Sequence, residues 1–125
     1  MRVSYIGWHY RTLEEVERQA AESSKCTHDH PEGIKAAMAT AAAVYLARTG
    51  ASKAEIAYYI HKKYRYAILR PLVLYRPFGK FDVTAMGTMP LALRCFLESE
   101  DWESCIRNVY SVRCDTDTVA CIAGG

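Results

Sequence analysis

The sequence is short of every feature that would place it in a membrane or an oxidising compartment. No window of the chain approaches the ~20 apolar residues of a membrane span, and the N-terminus lacks the basic-then-apolar layout of a signal peptide. The five cysteines form an odd set without a C-x-x-C pair, which disfavours a disulfide framework and a zinc site. We therefore expect a cytoplasmic protein with reduced thiols and no membrane partner.

The sequence also lacks a large excess of one charge and clear β-strand signals. The formal net charge is only +2, which makes nucleic acid an unlikely partner. The β-prone run LVLY at 72–75 lies between Pro71 and Pro77, where a strand ladder is unfavourable. A chain of 125 residues, half of them apolar, is long enough to bury one core. We expect residues 1–125 to form a single all-α domain.

What the sequence does contain is a series of helix start and stop signals. The segments TLEE at 12–15 and SKAE at 52–55 are typical capping boxes. Pro31 suits a first helical turn, and Gly50 suits a helix end. The predicted helices cover about 12–24, 31–49, 52–64, 88–97, 102–112 and the residues from 117. Together they predict a compact bundle of five to six helices, with Pro90 in the first turn of the fourth and the alanine-rich helix after Pro31 at its centre.

A basic, aromatic stretch runs from 61 to 81 with the sequence HKKYRYAILRPLVLYRPFGKF. It could form a surface for phosphate or single-stranded nucleic acid. Lys and Arg side chains bind phosphate groups, and tyrosines such as Tyr64, Tyr66 and Tyr75 could stack on bases. The alternative is a helix end with half-buried tyrosines, followed by an irregular loop. We favour the alternative.

Two histidines, His28 and His30, lie just before the helix at Pro31. Zinc would require three or four nitrogen or sulfur ligands, and this spacing supplies two. Imidazoles beside the free N–H groups of a helix N-terminus suit an anion such as phosphate. Equally, His30 could cap the helix while His28 makes a structural hydrogen bond.

An acidic pattern, CDTDTVACIAGG, starts the final helix. In one interpretation Asp115 is a simple N-cap and Asp117 interacts with the helix dipole. In the other, the two carboxylates and Thr118 supply the oxygen ligands that Mg²⁺ prefers. The residues alone leave both interpretations open.

Several separated segments are similar to one known family. They are MRVS at 1–4 with Gly7 and Trp8, THDHPEGI at 27–34, FDV at 81–83, GTMP at 87–90, and DTDT at 115–118 with the small residues that follow. Together they resemble the C-terminal portion of the ADP-ribosylglycohydrolases, all-α hydrolases that remove ADP-ribose from proteins. We expect the chain to be a truncated form of that fold.

The resemblance implies a site as well as a fold. It assigns Asp115, Asp117 and Thr118 to a weakly held Mg²⁺ or Mn²⁺, and it assigns His28 and Arg2 to ADP-ribose. The family's first acidic segment, with a glutamate and a Thr-Asp-Asp cluster, is not among these 125 residues. Arg113 and Cys114 replace two glycines before the Asp-x-Asp-Thr motif, and Ala36 stands where the family tends to glycine. No catalytic residue is identified.

Three functions follow as hypotheses. The chain is a hydrolase of ADP-ribosyl linkages only when a partner chain supplies the absent metal-binding half, or it binds ADP-ribose or a related nucleotide without turnover, or it is a structural, oligomeric module. We also expect the apolar faces around Met38, Ala42, Val119 and Ile122 to be exposed and to form a homo-oligomer or to bind the completing partner.

Overall fold

A computed structural model describes residues 2–78 and 81–125, apart from the side chain of Phe78. It divides the chain into two compact units, the first ending at Arg65 and the second beginning at Tyr66. The described residues contain helices and no strand, which confirms the all-α class. The single-domain expectation stays a prediction.

Eight helices are present in the described residues, against five to six expected. The two additional helices are short, namely α1 and α5. The first unit holds α1 (Ser4–His9), α2 (Leu13–Lys25), α3 (Pro31–Arg48) and α4 (Lys53–Tyr64). The second holds α5 (Leu72–Phe78), α6 (Ala85–Leu97), α7 (Trp102–Tyr110) and α8 (Thr116–Gly124).

The alanine-rich helix α3 is central to the first unit, as its composition predicts. Its middle residues are buried, and α1, α2 and α4 all pack against it. The packing of α1 is close because Gly7 has no side chain: a Cβ there would lie 2.6 Å from the Ala41 carbonyl oxygen and 2.7 Å from Val44 Cβ. Gly50, with φ of 91°, follows the helix and confirms the predicted stop.

Local capping signals place most helix starts correctly. Thr12 Oγ1 accepts the Glu15 N–H at 3.3 Å, and the Ser52–Glu55 capping box is complete in both directions. The helix predicted from 88 instead begins at Ala85, because the Thr84 hydroxyl accepts the Gly87 N–H at 3.2 Å. Pro90 is therefore in the second turn of α6 rather than the first.

The second unit buries one apolar cluster between α5, α6, α7 and α8. Its residues are Leu72, Leu91, Ala92, Cys95, Cys105, Val109, Val112, Cys114 and Val119. The segment at 72–75 is helical although Pro71 and Pro77 lie on either side of it. The N–H of Leu72, at the start of the helix, donates to Glu98 Oε1 at 3.0 Å. That acceptor lies 26 residues away in sequence, so no local pattern could predict it.

The expectation of exposed faces on α3 and α8 is wrong. Ala42 and Val119 are fully buried, and Met38 and Ile122 are partly buried. The reason is that α3 packs against α1, α2 and α4, while one side of α8 packs against α6 and α7, so helices of the same unit cover these residues. None of the helices in the described residues combines the length and apolar character needed to cross a bilayer.

Candidate functional site

The Asp-x-Asp-Thr motif lies at the start of α8, and the buried residue Val119 fixes its position. Val119, one turn into the helix, is fully buried, and its N–H donates to the Asp115 carbonyl at 2.9 Å. Asp115 occupies the N-cap position, yet its side chain makes no capping hydrogen bond. A plain cap would use that carboxylate to accept a backbone N–H. The Asp115 side chain is therefore not serving as a cap.

The structure brings the two carboxylates of the motif together. The side chain of Asp115 interacts with that of Asp117, and this interaction, followed by the Thr118 N–H, lowers the pKa of Asp117. Two neighbouring carboxylates repel each other when both are ionised, and a cation beside them would relieve that repulsion. Asp117 is exposed, and Thr118 beside it is half-buried. The motif thus places the exposed Asp117 side chain beside the partly exposed Asp115 and Thr118.

The donor atoms of this motif fit a hard cation, although they do not complete its coordination. Mg²⁺ commonly takes one or two protein carboxylates and fills its remaining positions with water or phosphate. Asp115, Asp117 and Thr118 supply two carboxylates and a hydroxyl. Across residues 2–78 and 81–125, no group of three or more His, Cys, Asp or Glu side chains is arranged to hold a metal. A cation here would depend on ligands from water or substrate.

The residues that replace the family's two glycines point in different directions. Arg113 is exposed, whereas the Cys114 side chain is buried in the core of the second unit, where its thiol contacts the Val109 carbonyl at 3.8 Å. Burial raises the pKa of the Cys114 thiol. Cys114 is therefore a core residue and leaves the surface beside Asp115 clear.

In the first unit, the structure brings Arg2 and His28 together at one hydroxyl. The Arg2 guanidinium donates to Thr27 Oγ1 at 2.9 Å, and His28 Nδ1 lies 3.0 Å from the same atom. The guanidinium also donates to the Ser23 carbonyl at 2.6 Å and contacts Cys26 Sγ at 3.2 Å. Arg2 and His28 are both exposed, so a cationic side chain and an imidazole share one patch of surface, which we call the Thr27 cluster.

The neighbouring histidine has a structural role. His30 Nδ1 accepts the Glu32 N–H at 3.2 Å and so caps α3. This confirms the capping interpretation for His30. His28 also makes a local hydrogen bond, with Thr27, but its ring remains at the surface. Of the two histidines, His28 alone remains a candidate binding residue.

The FDV segment lies in the loop before α6, and the GTMP segment lies in the first two turns of that helix. Asp82 Oδ1 accepts the Thr84 N–H at 2.8 Å. Hydrogen bonding with the Thr84 side chain, followed by that N–H, lowers the pKa of Asp82. A Cβ on Gly87 would lie only 2.0 Å from Asp82 Oδ2, so no other residue fits there without displacing the carboxylate. Gly87 therefore leaves room for the Asp82 carboxylate, which the Thr84 N–H fixes in place. The apolar side chains of Phe81 and Val83, on either side of Asp82, face solvent.

The basic, aromatic stretch does not form the stacking surface considered above. Tyr64 and Tyr66 are buried, so their rings cannot stack on bases. Lys63 is paired with Glu17, and the Arg70 guanidinium lies over the Tyr75 ring at 4.9 Å. Lys80 lies outside the described residues. The helix-end interpretation accounts for these side chains better than a nucleic-acid surface does.

A buried carboxylate that sequence reasoning missed is Glu17 on α2. Its carboxylate accepts hydrogen bonds from Tyr59 at 2.6 Å, from Lys63 and from Tyr64. Burial would raise the pKa of Glu17, but these bonds outweigh burial and lower it. The donors lie more than 40 residues away in sequence, so only the fold reveals this Glu17 network. It ties α2 to α4 within the first unit.

Comparisons with known proteins give one positive result. The family model described as ADP-ribosylglycohydrolase matches residues 1–125, the full length of the chain. Searches of curated proteins and of solved structures returned no match.

Proposed function

The chain belongs to the ADP-ribosylglycohydrolase family, and on that basis we propose that it binds a divalent cation at the Asp115 motif and ADP-ribose at the Thr27 cluster. In this proposal the substrate is ADP-ribose or an ADP-ribosylated protein. Hydrolysis of an ADP-ribosyl linkage requires the family's first acidic segment as well, which lies outside these 125 residues. The 125 residues alone bind but do not turn over substrate.

One observation carries the metal half of the proposal. The Asp115 side chain stands at an N-cap without capping the helix, and it interacts instead with the Asp117 side chain. A cation between the two carboxylates would relieve their repulsion. Asp115, Asp117 and the Thr118 hydroxyl would hold Mg²⁺ or Mn²⁺. When bound, such an ion supplies positive charge that orients substrate oxygens and a water molecule.

The Thr27 cluster supports the binding of ADP-ribose. A guanidinium is a planar donor that matches phosphate oxygens, and an exposed imidazole adds a further donor when protonated. Hydrogen bonds to Ser23 and Thr27 fix the Arg2 side chain before any ligand arrives. Less side-chain freedom is then lost on binding, which favours affinity.

The metal half is tested by thermal melting. In 10 mM Mg²⁺ or Mn²⁺ we expect the melting temperature to rise by about 3–8 °C if the affinity is near millimolar. The double change Asp115→Asn and Asp117→Asn should abolish this rise. A wild-type melting curve that does not respond to either metal would show that the aspartates serve only the helix.

The ADP-ribose half is tested by calorimetry and by reconstitution. We expect ADP-ribose to bind to the wild-type chain and to bind more weakly after His28→Ala, with His9→Ala, an exposed histidine on α1, as the matched control. Hydrolysis should be negligible for the chain alone and should appear when a polypeptide with the Thr-Asp-Asp cluster is added. Efficient turnover by the chain alone, lost on Asp117→Ala, would contradict the proposal.

A second candidate function is binding without hydrolysis in any context. The Thr27 cluster favours it, because a guanidinium and an imidazole bind phosphate groups without a metal. Under this alternative ADP-ribose affinity would be the same with Mg²⁺ and with a chelator. No added polypeptide would then produce turnover.

A further inference from the structure

Helix α7 carries large apolar side chains on a face turned away from its core. Cys105 and Val109 are buried in the second unit, whereas Trp102 and Tyr110 are 68% and 73% exposed. Ile106 lies midway between these two rings and is partly exposed. The spacing of four residues places the three side chains along one side of the helix. Apolar side chains grouped on one exposed helix face are typical of contact surfaces.

The same face carries one charge of each sign. Arg107 donates to Glu103 Oε1 through Nε at 2.9 Å and through Nη2 at 2.7 Å. Both side chains are more than two-thirds exposed, and both line the shallow groove that Trp102, Ile106 and Tyr110 also line. An exposed pair of this kind contributes little to folding. Either charge is therefore free to pair again with another molecule.

The C-terminal end of α8 supports this face from one side. A Cβ on Gly124 would lie 3.2 Å from Trp102 Nε1 and 3.3 Å from Ile106 Cδ1. The glycine backbone therefore packs closely against both side chains. This contact limits the freedom of the Trp102 ring although most of its surface faces solvent, so little ordering is needed when a partner binds.

We propose that the α7 surface, defined as Trp102, Glu103, Ile106, Arg107 and Tyr110, binds a second copy of this chain in a two-fold, antiparallel arrangement. A two-fold axis near the middle of α7 reverses the helix direction. It places Trp102 of one copy beside Tyr110 of the other, and Glu103 of one copy beside Arg107 of the other. The surface is thus complementary to itself in both shape and charge, as an isologous contact requires.

The size of the surface sets the strength of the dimer. An aromatic side chain buries ~150–250 Å² when fully covered, and the four exposed rings of a dimer would contribute roughly two-thirds of that each. The total, with Ile106 and the charged side chains, stays below the ~1,200 Å² of stable complexes. The dimer is therefore weak, with a dissociation constant on the order of tens to hundreds of micromolar. This surface differs from the α3 and α8 faces that the sequence suggested.

Sedimentation equilibrium between 5 and 500 µM tests the proposal. The average mass should rise from one chain toward two, and Glu103→Arg or Arg107→Glu alone should raise the dissociation constant about tenfold or more through like-charge repulsion. The combined Glu103→Arg and Arg107→Glu variant should restore association. Tyr110→Ser should weaken it, whereas Tyr58→Ser, at a tyrosine of similar exposure on α4, should not.

All the substituted side chains are exposed, so the variants should melt like the wild type, and melting curves check this. A mass of one chain at every concentration would overturn the proposal. Association that persists unchanged in Tyr110→Ser and in both single charge variants would also overturn it, because the contact would then lie elsewhere on the molecule.

Discussion

The carboxylate of Glu17 in the first unit and the carboxylates of Asp115 and Asp117 in the second are held in opposite ways. Glu17 is buried and accepts hydrogen bonds from two tyrosines and a lysine. Asp115 makes no capping bond, and its side chain interacts with Asp117, another acid. A carboxylate with three donors stabilises a fold, whereas two adjacent carboxylates without a cation do not. The contrast separates a structural acid from a candidate ligand-binding one.

The largest expected difference between the two kinds of carboxylate is in the free energy of unfolding. Glu17→Gln removes the charge that Lys63 and two tyrosines surround, and Lys63 is itself 45% exposed. Breaking a fully buried pair costs about 3–5 kcal/mol, so we expect a loss of about 2–3 kcal/mol in the free energy of unfolding by urea. Asp117→Asn in metal-free buffer should leave the urea midpoint nearly unchanged. Equal effects of the two changes would remove the distinction.

A smaller effect isolates one donor of the Glu17 network. Tyr64→Phe deletes a buried hydroxyl that donates to Glu17, and we expect a loss of about 1–2 kcal/mol. Tyr58→Phe on the same helix is the matched control, because that ring is 65% exposed. Its stability should stay within about 0.5 kcal/mol of the wild type. If Tyr58→Phe proves as costly as Tyr64→Phe, the hydrogen bond to Glu17 is not the cause.

The smallest effect is a pH dependence. The pKa of Glu17 is lower in the folded chain than its ordinary value of about 4.3. A lowered pKa contributes stability that is fully present above the ordinary value and is lost as pH falls through it toward the folded-state pKa. The free energy of unfolding should therefore drop below about pH 5, and the drop should be shallower in Glu17→Gln. A variant with the same acid profile as the wild type would contradict this assignment.

Sequence reasoning located what local chemistry determines. Thr12 and Ser52 marked helix starts, and Gly50 marked a stop, because caps and turns depend on neighbours within four residues. The Asp115 motif was found in the same way. Whether its aspartates cap the helix could not be predicted, since that depends on the orientation of one side chain at the N-cap.

What sequence reasoning missed depends on partners distant in the chain. The start of α5 at Leu72 uses Glu98, and the buried state of Glu17 uses Lys63 and Tyr64. The wrong expectation for Ala42 and Val119 has the same origin, because each is covered by neighbouring helices of its own unit. Apolar helices indicate burial, but the sequence pattern does not say which helices cover them.

The most direct test of the central claim counts Mn²⁺ bound to the chain by electron paramagnetic resonance of the free ion. We predict one bound Mn²⁺ per chain at millimolar concentration, displaced by Mg²⁺ and lost when Asp115→Asn and Asp117→Asn are combined. The matched control combines Glu14→Gln and Glu22→Gln, two exposed acids on α2, and should bind Mn²⁺ like the wild type. Binding that survives the aspartate changes, or no binding by the wild type, would contradict the claim that the Asp115 motif is a metal site.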